Sequence, residues 1–299
     1  MDLKWIQEWD GVQAAWLRTY YVCEDVDVSV AVSRVPMDSP RWNVVNRTPD
    51  TPEAPYRIYF PISPVAIRLR GRPEVVVSRN EVRFHGPDQT YHRRMVAPDG
   101  DKSYALVPEH EVVEPIIAEL GFRRGVAPSA IGQVTPDLFL RQRRLMTALA
   151  STPQEEQGLE HEEACIGVTE AAVYAALTGQ APPLRGASRN DQRIAADVRE
   201  LLAERFAEPL TLVDIGLAVN VSRFHLARAF RRYTGTTIHG YRTSLRLRAA
   251  ADLLVDSNGS DLATIAHVTG FASHSHLTDA FRRYFGLPPS LAREGLRAA

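Results

Sequence analysis

The chain has 299 residues, 44% of them hydrophobic and 24% charged, which is enough for two domains with separate cores and is ordinary for a soluble globular protein. No window approaches the ~18 consecutive apolar residues that a membrane-spanning helix needs, and the first residues lack a basic segment followed by an apolar run, so a cytoplasmic protein is expected. The net charge of −1 is unevenly divided: residues 189–299 hold 15 Arg, no Lys and 11 acidic residues, leaving 20 basic and 25 acidic residues in the rest.

Residues 1–108 read as many short strands. Runs such as Val26–Val32, Tyr56–Phe60, Val65–Leu69, Glu74–Val77 and Glu81–Phe84 alternate or are β-branched, and Pro and Gly punctuate them, which suggests a small barrel or sandwich. Trp5, Trp9, Trp16 and Trp42 are expected to be core residues. His85 and His92 lie seven apart without the tight His-x-His and carboxylate spacing of a metal-binding cupin, so no metal is expected. Cys23 and Cys165 are isolated, which argues against both a disulfide framework and a zinc site.

After Pro108 the period changes to that of helices. Glu109–Leu120 places Val112, Val113, Ile116 and Ile117 on one face and stops at Gly121. A second helix is expected over Pro136–Ala150 and a third over Pro153–Leu177, acidic at its start. Their apolar stripes exceed what a small barrel needs to cover, which marks residues 136–178 as the dimer surface. The Gly179–Pro183 stretch breaks the pattern, and residues 179–190 read as a linker. A helix over Asp191–Phe206 follows.

The remaining residues contain an internal repeat. His225-Leu-Ala-Arg-Ala-Phe-Arg-Arg-Tyr-Thr-Gly235 recurs as His276-Leu-Thr-Asp-Ala-Phe-Arg-Arg-Tyr-Phe-Gly286, with eight of eleven positions identical. The offset is 50 upstream of the turn and 51 after it, so the second copy has one extra residue, placed near Ser273–Ser275. Each copy reads as helix, tight turn, helix. Thr211 and Asp261 are N-caps of the first helices, Asn220 and Gly270 are the left-handed stops, and Ser222 and Ser273 cap the second helices. Leu226 with Phe230, and Leu277 with Phe281, mark the buried faces. Between the copies, Thr237–Asp256 reads as a helix of about twenty residues, roughly 30 Å long. Successive major-groove faces lie roughly 34 Å apart.

At these residues, over about 190–296, the chain resembles the AraC/XylS family of bacterial regulators. The resemblance includes the ending Arg282-Arg283-Tyr284-Phe285-Gly286-Leu287-Pro288-Pro289-Ser290. It implies an α+β protein of two domains: residues 1–178 a cupin-like β-barrel with following helices, for sensing and dimerisation, and residues 191–299 an all-α, seven-helix DNA-binding domain with two helix-turn-helix units. It also implies a non-enzymatic regulator that uses no cofactor and binds double-stranded promoter DNA as a homodimer, with a small-molecule effector and RNA polymerase as further partners. The DNA-binding set falls on Ser222, Arg223, Phe224, Ala227, Arg228, Arg231 and Arg232, and on Ser273, His274, Ser275, Thr278, Asp279 and Arg282. Arg228 is the candidate for base readout, because its planar fork matches guanine O6 and N7. Asp279 stands where such regulators often have Arg, which favours a cytosine amino group or fewer phosphate contacts. His225 and His276, shared by both copies, are expected to pack or to make structural hydrogen bonds. Two other classes stay open: a regulator controlled by a protein partner, and an enzyme domain (a metal cupin or a reactive-cysteine sensor) fused to a DNA reader.

Overall fold

A computed structural model describes residues 5–9, 12–23, 26–34, 43–45, 56–69, 71–87, 89–96, 100–123, 130–153, 156–179, 187–256 and 261–297. The chain divides into two compact units, Met1–Gln180 and Ala181–Ala299.

The first unit is built on strands β1 (Trp5–Trp9), β2 (Val12–Cys23), β3 (Val26–Arg34), β4 (Asn43–Val45), β5 (Arg57–Pro61), β6 (Val65–Leu69), β7 (Val75–Val77), β8 (Glu81–His85), β9 (Thr90–Met95), β10 (Asp101–Pro108) and β11 (Ala130–Gln133). They form two open antiparallel sheets, β1-β2-β3-β10-β5-β8-β11 and β4-β9-β6-β7. In the smaller sheet Val65, Ile67 and Leu69 project to one face, where they cluster with Val77 and Tyr91. Ile131 of β11 packs on that cluster, so the two sheets face each other. Strands β9 and β10 had no counterpart in the sequence reading: His92, Arg93 and Arg94 give β9 a charged character, and Pro108 closes β10. Trp42 lies outside the described residues, as do the side chains of Trp5, Trp9, Trp16 and Cys23. His85 and His92 do not converge. His85 is buried and stacks on Tyr91, whereas His92 alternates with Tyr91 along β9 and so projects from its other face.

Three helices complete the unit: α1 (His110–Glu119), α2 (Pro136–Ser151) and α3 (Leu159–Thr178). Gly121, at φ 81°, takes the left-handed turn just after α1. Thr135 caps α2 by accepting from the Leu138 amide at 3.1 Å, and Pro136 occupies the first turn. Helix α3 begins six residues later than the Pro153 start expected from sequence. Its N-cap, Gly158, is extended, and the Gln157 side chain donates to Thr152 O at 3.0 Å, closing the turn after α2 instead. Helix α3 lies directly on β11: a Cβ added to Gly132 would come within 1.8 Å of Ala175 O. Cys165, on α3, is fully buried.

The second unit contains α4 (Arg189–Arg205), α5 (Leu212–Ala218), α6 (Arg223–Thr234), α7 (Ile238–Asp256), α8 (Leu262–Val268), α9 (His274–Phe285) and α10 (Pro289–Arg297). Helix α4 starts at Arg189, two residues earlier than expected and inside the segment read from sequence as linker, because Ser188 and Asp191 form a reciprocal capping box. Ile194, Val198 and Leu202 of α4 bury against Ile215, Leu226, Phe230, Tyr241 and Leu245. The α7 positions Ile238, Leu247, Ala250 and Leu254 are also buried. No helix of the described residues is long and apolar enough to cross a membrane.

Candidate nucleic-acid interface

The two halves of the repeat fold by the same local devices. In the first, Thr211 Oγ1 accepts from the Asp214 amide at 3.2 Å, and Asp214 Oδ2 accepts from the Thr211 amide at 2.8 Å. In the second, Asp261 Oδ1 accepts from the Thr264 amide at 2.6 Å. The Thr211 hydroxyl, donating to Asp214 Oδ2 at 2.7 Å, and then the Thr211 amide hold the Asp214 carboxyl below the usual carboxylate range, and the Thr264 amide does the same for Asp261. The helices stop at Asn220 (φ 54°) and Gly270 (φ 81°), after which Val221 N donates to Gly216 O and Phe271 N to Ala266 O, each at 2.8 Å. Ser222 then caps α6 through the His225 amide at 3.4 Å, and Ser273 caps α9 through the His276 amide at 3.1 Å. Val221 and Phe271 are 50 apart, and the two capping serines are 51 apart. The extra residue of the second copy is therefore Ala272, just before the segment to which sequence spacing assigned it.

Each second helix buries one side and presents the other. Leu226, Ala229 and Phe230 of α6 and Leu277, Ala280, Phe281 and Phe285 of α9 face the core. On α6 the residues Arg223, Phe224, Ala227, Arg228 and Arg231 are exposed. Phe224 is 71% exposed, far more than a core-forming aromatic, and Arg223 lies over its ring at 4.9 Å. On α9 the residues His274, Ser275, Asp279 and Arg282 are exposed, and Thr278 is half-buried with its hydroxyl donating to His274 O at 2.8 Å. Helix α6 carries four arginines and no acid, while α9 carries Asp279 among its cations. The exposed faces thus differ in chemistry although their frames coincide.

Arg232 stands apart from this face. It is half-buried, and its Nη1 donates to Asp191 Oδ2 at 3.1 Å. His225 and His276 are exposed, and each makes a local contact: His225 Nε2 lies 3.4 Å from Asn190 Nδ2, and the His276 ring packs edge-on against Phe271 at 5.3 Å.

Sequence reading missed what joins the two helix-turn-helix copies. The C-terminal end of α4 leaves carbonyls pointing outward, with the negative end of the helix dipole behind them. Two arginines one turn apart on α7 bind them. Arg242 donates to Phe206 O at 3.0 Å, to Leu210 O at 2.7 Å and to Glu208 O, and Arg246 to Phe206 O at 2.7 Å and Ala207 O at 3.2 Å. Burial, and Arg242 beside it, bring the Arg246 guanidinium down to about 10, still protonated at neutral pH. Arg246 also sits 6.0 Å from the Phe271 ring, in the turn of the second helix-turn-helix copy. Farther along α7, Arg248 donates to the Tyr284 hydroxyl of α9 at 3.1 Å. One helix therefore holds both copies, a role signalled in sequence only by the i, i+4 spacing of Arg242 and Arg246.

Comparison with known proteins matches this unit. A family profile described as a helix-turn-helix domain covers residues 216–295. The transcriptional regulator GbdR of Pseudomonas aeruginosa is 32% identical over 143 residues, 46% of this chain and 39% of that protein. An AraC-like transcription regulator of Streptomyces lividans is 39% identical over 83 residues, 28% of this chain and 27% of its own. The chain thus spans about two fifths or less of the length of these relatives. Among solved structures, an AraC-type regulator from Chromobacterium violaceum is 31% identical, covering 36% of this chain and 96% of its own, with a TM-score of 0.34. The DNA-binding domain of AdpA, solved with a target DNA, is 30% identical and covers 35% of this chain and 93% of its own, with a TM-score of 0.33. Residues 216–295 thus form a helix-turn-helix domain of AraC type, similar to those of these transcription regulators.

Proposed function

We propose that the chain is a sequence-specific transcription regulator that reads double-stranded promoter DNA with α6 and α9. The observation that carries this reading is the pair of capped helices, each apolar on its buried side and polar or cationic on its exposed side, joined by α7. The 19 residues of α7 span roughly 28 Å, close to the roughly 34 Å between successive major-groove faces. Arg223, Arg228 and Arg231 on α6 and Ser275, Thr278, Asp279 and Arg282 on α9 reach base edges and phosphates, with His274 beside them at the N-terminus of α9. Ser222 and Ser273 position the helix starts. Arg232, tied to Asp191, contributes at most a phosphate contact.

The first unit serves as a cupin-like sensor and dimerisation domain whose small-molecule effector changes how two such DNA-binding units are presented, at promoters where RNA polymerase is the further partner. Helices α2 and α3 form the dimer surface. A reactive-cysteine enzyme finds little support in Cys165, which is fully buried.

Genome-wide mapping of binding sites, followed by gel retardation of the recovered duplexes at moderate salt, tests the DNA reading. Full-length protein should retard the mapped site in preference to shuffled sequence. Failure to retard any duplex would end it. Sedimentation at micromolar concentration tests the dimer: a monomer that still binds its full site tightly would remove that part.

A further inference from the structure

The face of β5 and β8 that looks toward the smaller sheet is charged, where facing sheets ordinarily bury apolar side chains. Arg57 pairs with His85, and Tyr59 with Arg83, across these strands, and strand alternation puts all four on one face. Ile131, the cross-strand neighbour of Arg83 on β11, packs on the Val65, Ile67 and Leu69 cluster opposite. From that opposite sheet Tyr91 stacks on His85, with ring centroids 4.1 Å apart and planes 19° from parallel. Arg93 follows two residues later on the same face of β9.

Arg83 carries the argument. It is 0% exposed, it lies 4.6 Å from the centre of the Tyr59 ring, and its Nη2 donates to Ser103 Oγ at 3.2 Å. Its Nε and Nη1 have no hydrogen-bond partner among the described residues, and neither has Arg57 Nε. The buried carboxylate on the same strand face, Glu81, accepts from the Ser78 amide and hydroxyl and from Gln133. A guanidinium does not deprotonate inside a protein, and a buried cation without a counter-charge is strongly destabilising. Consistently, burial first and then Arg83, Arg57 and Arg93 push His85 well below the usual imidazole range. Among the described residues the interior between the sheets therefore holds more cationic than acidic side chains, Arg57, Arg83 and Arg93 against Glu81, with aromatic and aliphatic walls beside them.

We propose that this interior binds a small organic anion, whose carboxylate or phosphate group is held by Arg83 and Arg57 and whose carbon body lies against Tyr59, Tyr91 and Ile67. A planar fork with unused N–H groups suits such an oxyanion, and apolar walls suit an organic rather than an inorganic one. This deepens the effector reading and rests on it for any regulatory consequence, but binding itself is measured without DNA.

The test uses the full chain in thermal melts and titration calorimetry at fixed ionic strength. The probes are benzoate, octanoate and phenyl phosphate, with benzamide as the neutral isostere of benzoate. At least one anion should raise the melting temperature by 2 °C or more at saturation while benzamide does not, and the responding probe distinguishes carboxylate from phosphate. Arg83→Gln should abolish the shift, and so should Arg57→Gln, which alters a half-buried side chain and keeps the test open if the first variant does not fold. Equal responses to the anions and benzamide, or a full shift retained in Arg57→Gln, would overturn the proposal. Retardation of the mapped duplex is scored separately. Anion binding without DNA binding would sink the regulator reading and leave the site standing, and the converse would sink only the site.

Discussion

Arg232 on α6 donates to Asp191 Oδ2 at 3.1 Å, and that carboxylate is also the capping-box residue of α4. Asp191 is almost fully buried and accepts from both the amide and the hydroxyl of Ser188, at 2.8 and 3.0 Å. One carboxylate thus starts a helix and anchors the far half of the reading helix. The Ser188 amide first, then the Ser188 hydroxyl and Arg232, hold its pKa below the ordinary value of 3.8 against the upward push of burial.

Asp191→Ala should therefore remove both functions and destabilise the C-terminal unit by about 1–3 kcal/mol, read by denaturant unfolding. Because the folded pKa is depressed, this contribution is present above about pH 4 and is lost as the pH falls through the folded value. Arg232→Gln should cost less, since its side chain is one third exposed. An Asp191→Ala variant as stable as the parent would refute the double role.

Arg228 is exposed on α6, and the proposed function has its fork meet a base. Arg228→Ala should weaken binding to the mapped site by about 1–3 kcal/mol and relax preference at one base pair. Equal losses on specific and random duplexes, in a binding titration, would assign it to phosphate instead.

The left-handed stops of the two helix-turn-helix copies are not interchangeable. At Gly270 a Cβ would lie 2.2 Å from Ala207 O, a backbone atom, and the φ of 81° already disfavours any side chain. Gly270→Ala should cost about 2 kcal/mol or more. Asn220→Gly should change stability by no more than about 1 kcal/mol, because glycine adopts that conformation freely. Thermal melts of the two variants would expose an error if their order were reversed.

His85 gives the N-terminal unit a pH dependence. It faces Arg83 and Glu81 from its own strand, Arg57 and Tyr59 from β5, and Tyr91 and Arg93 from β9. With its folded pKa well below the ordinary 6.5, the unfolded chain takes up a proton first as the pH falls. Stability from keeping this ring neutral is full above about pH 6.5 and declines below it, towards the folded value. Melting temperatures between pH 8 and 5 should fall for the parent and flatten for His85→Gln; identical slopes would contradict this.

The duplicated heads were legible in the sequence because their signals are local. Caps at Thr211, Asp261, Ser222 and Ser273, left-handed stops at Asn220 and Gly270, and i, i+4 apolar pairs each act within one or two turns. What escaped depends on distant partners. The Arg231-Arg232 pair looks equivalent to Arg282-Arg283, yet Arg232 meets a carboxylate 41 residues upstream whereas Arg283 donates back to Asp279 O. The charged interior escaped for the same reason. Arg57, Tyr59, Arg83 and His85 meet only through the register of β5 with β8, and Arg93 lies on a strand whose charges disguise it. Helix α3 was placed too early because its acidic start suits a dipole equally well one turn sooner.

The arginine bracket between α7 and the end of α4 leaves the two reading heads little freedom to swivel against each other. Each base pair turns the duplex by about 35°, since a full turn takes about 10–10.5 base pairs. One pair inserted between the two half-sites would carry the second set of base edges around the cylinder, out of reach of a protein that cannot twist to follow. Spacing, as much as letters, would then be part of the address this protein recognises.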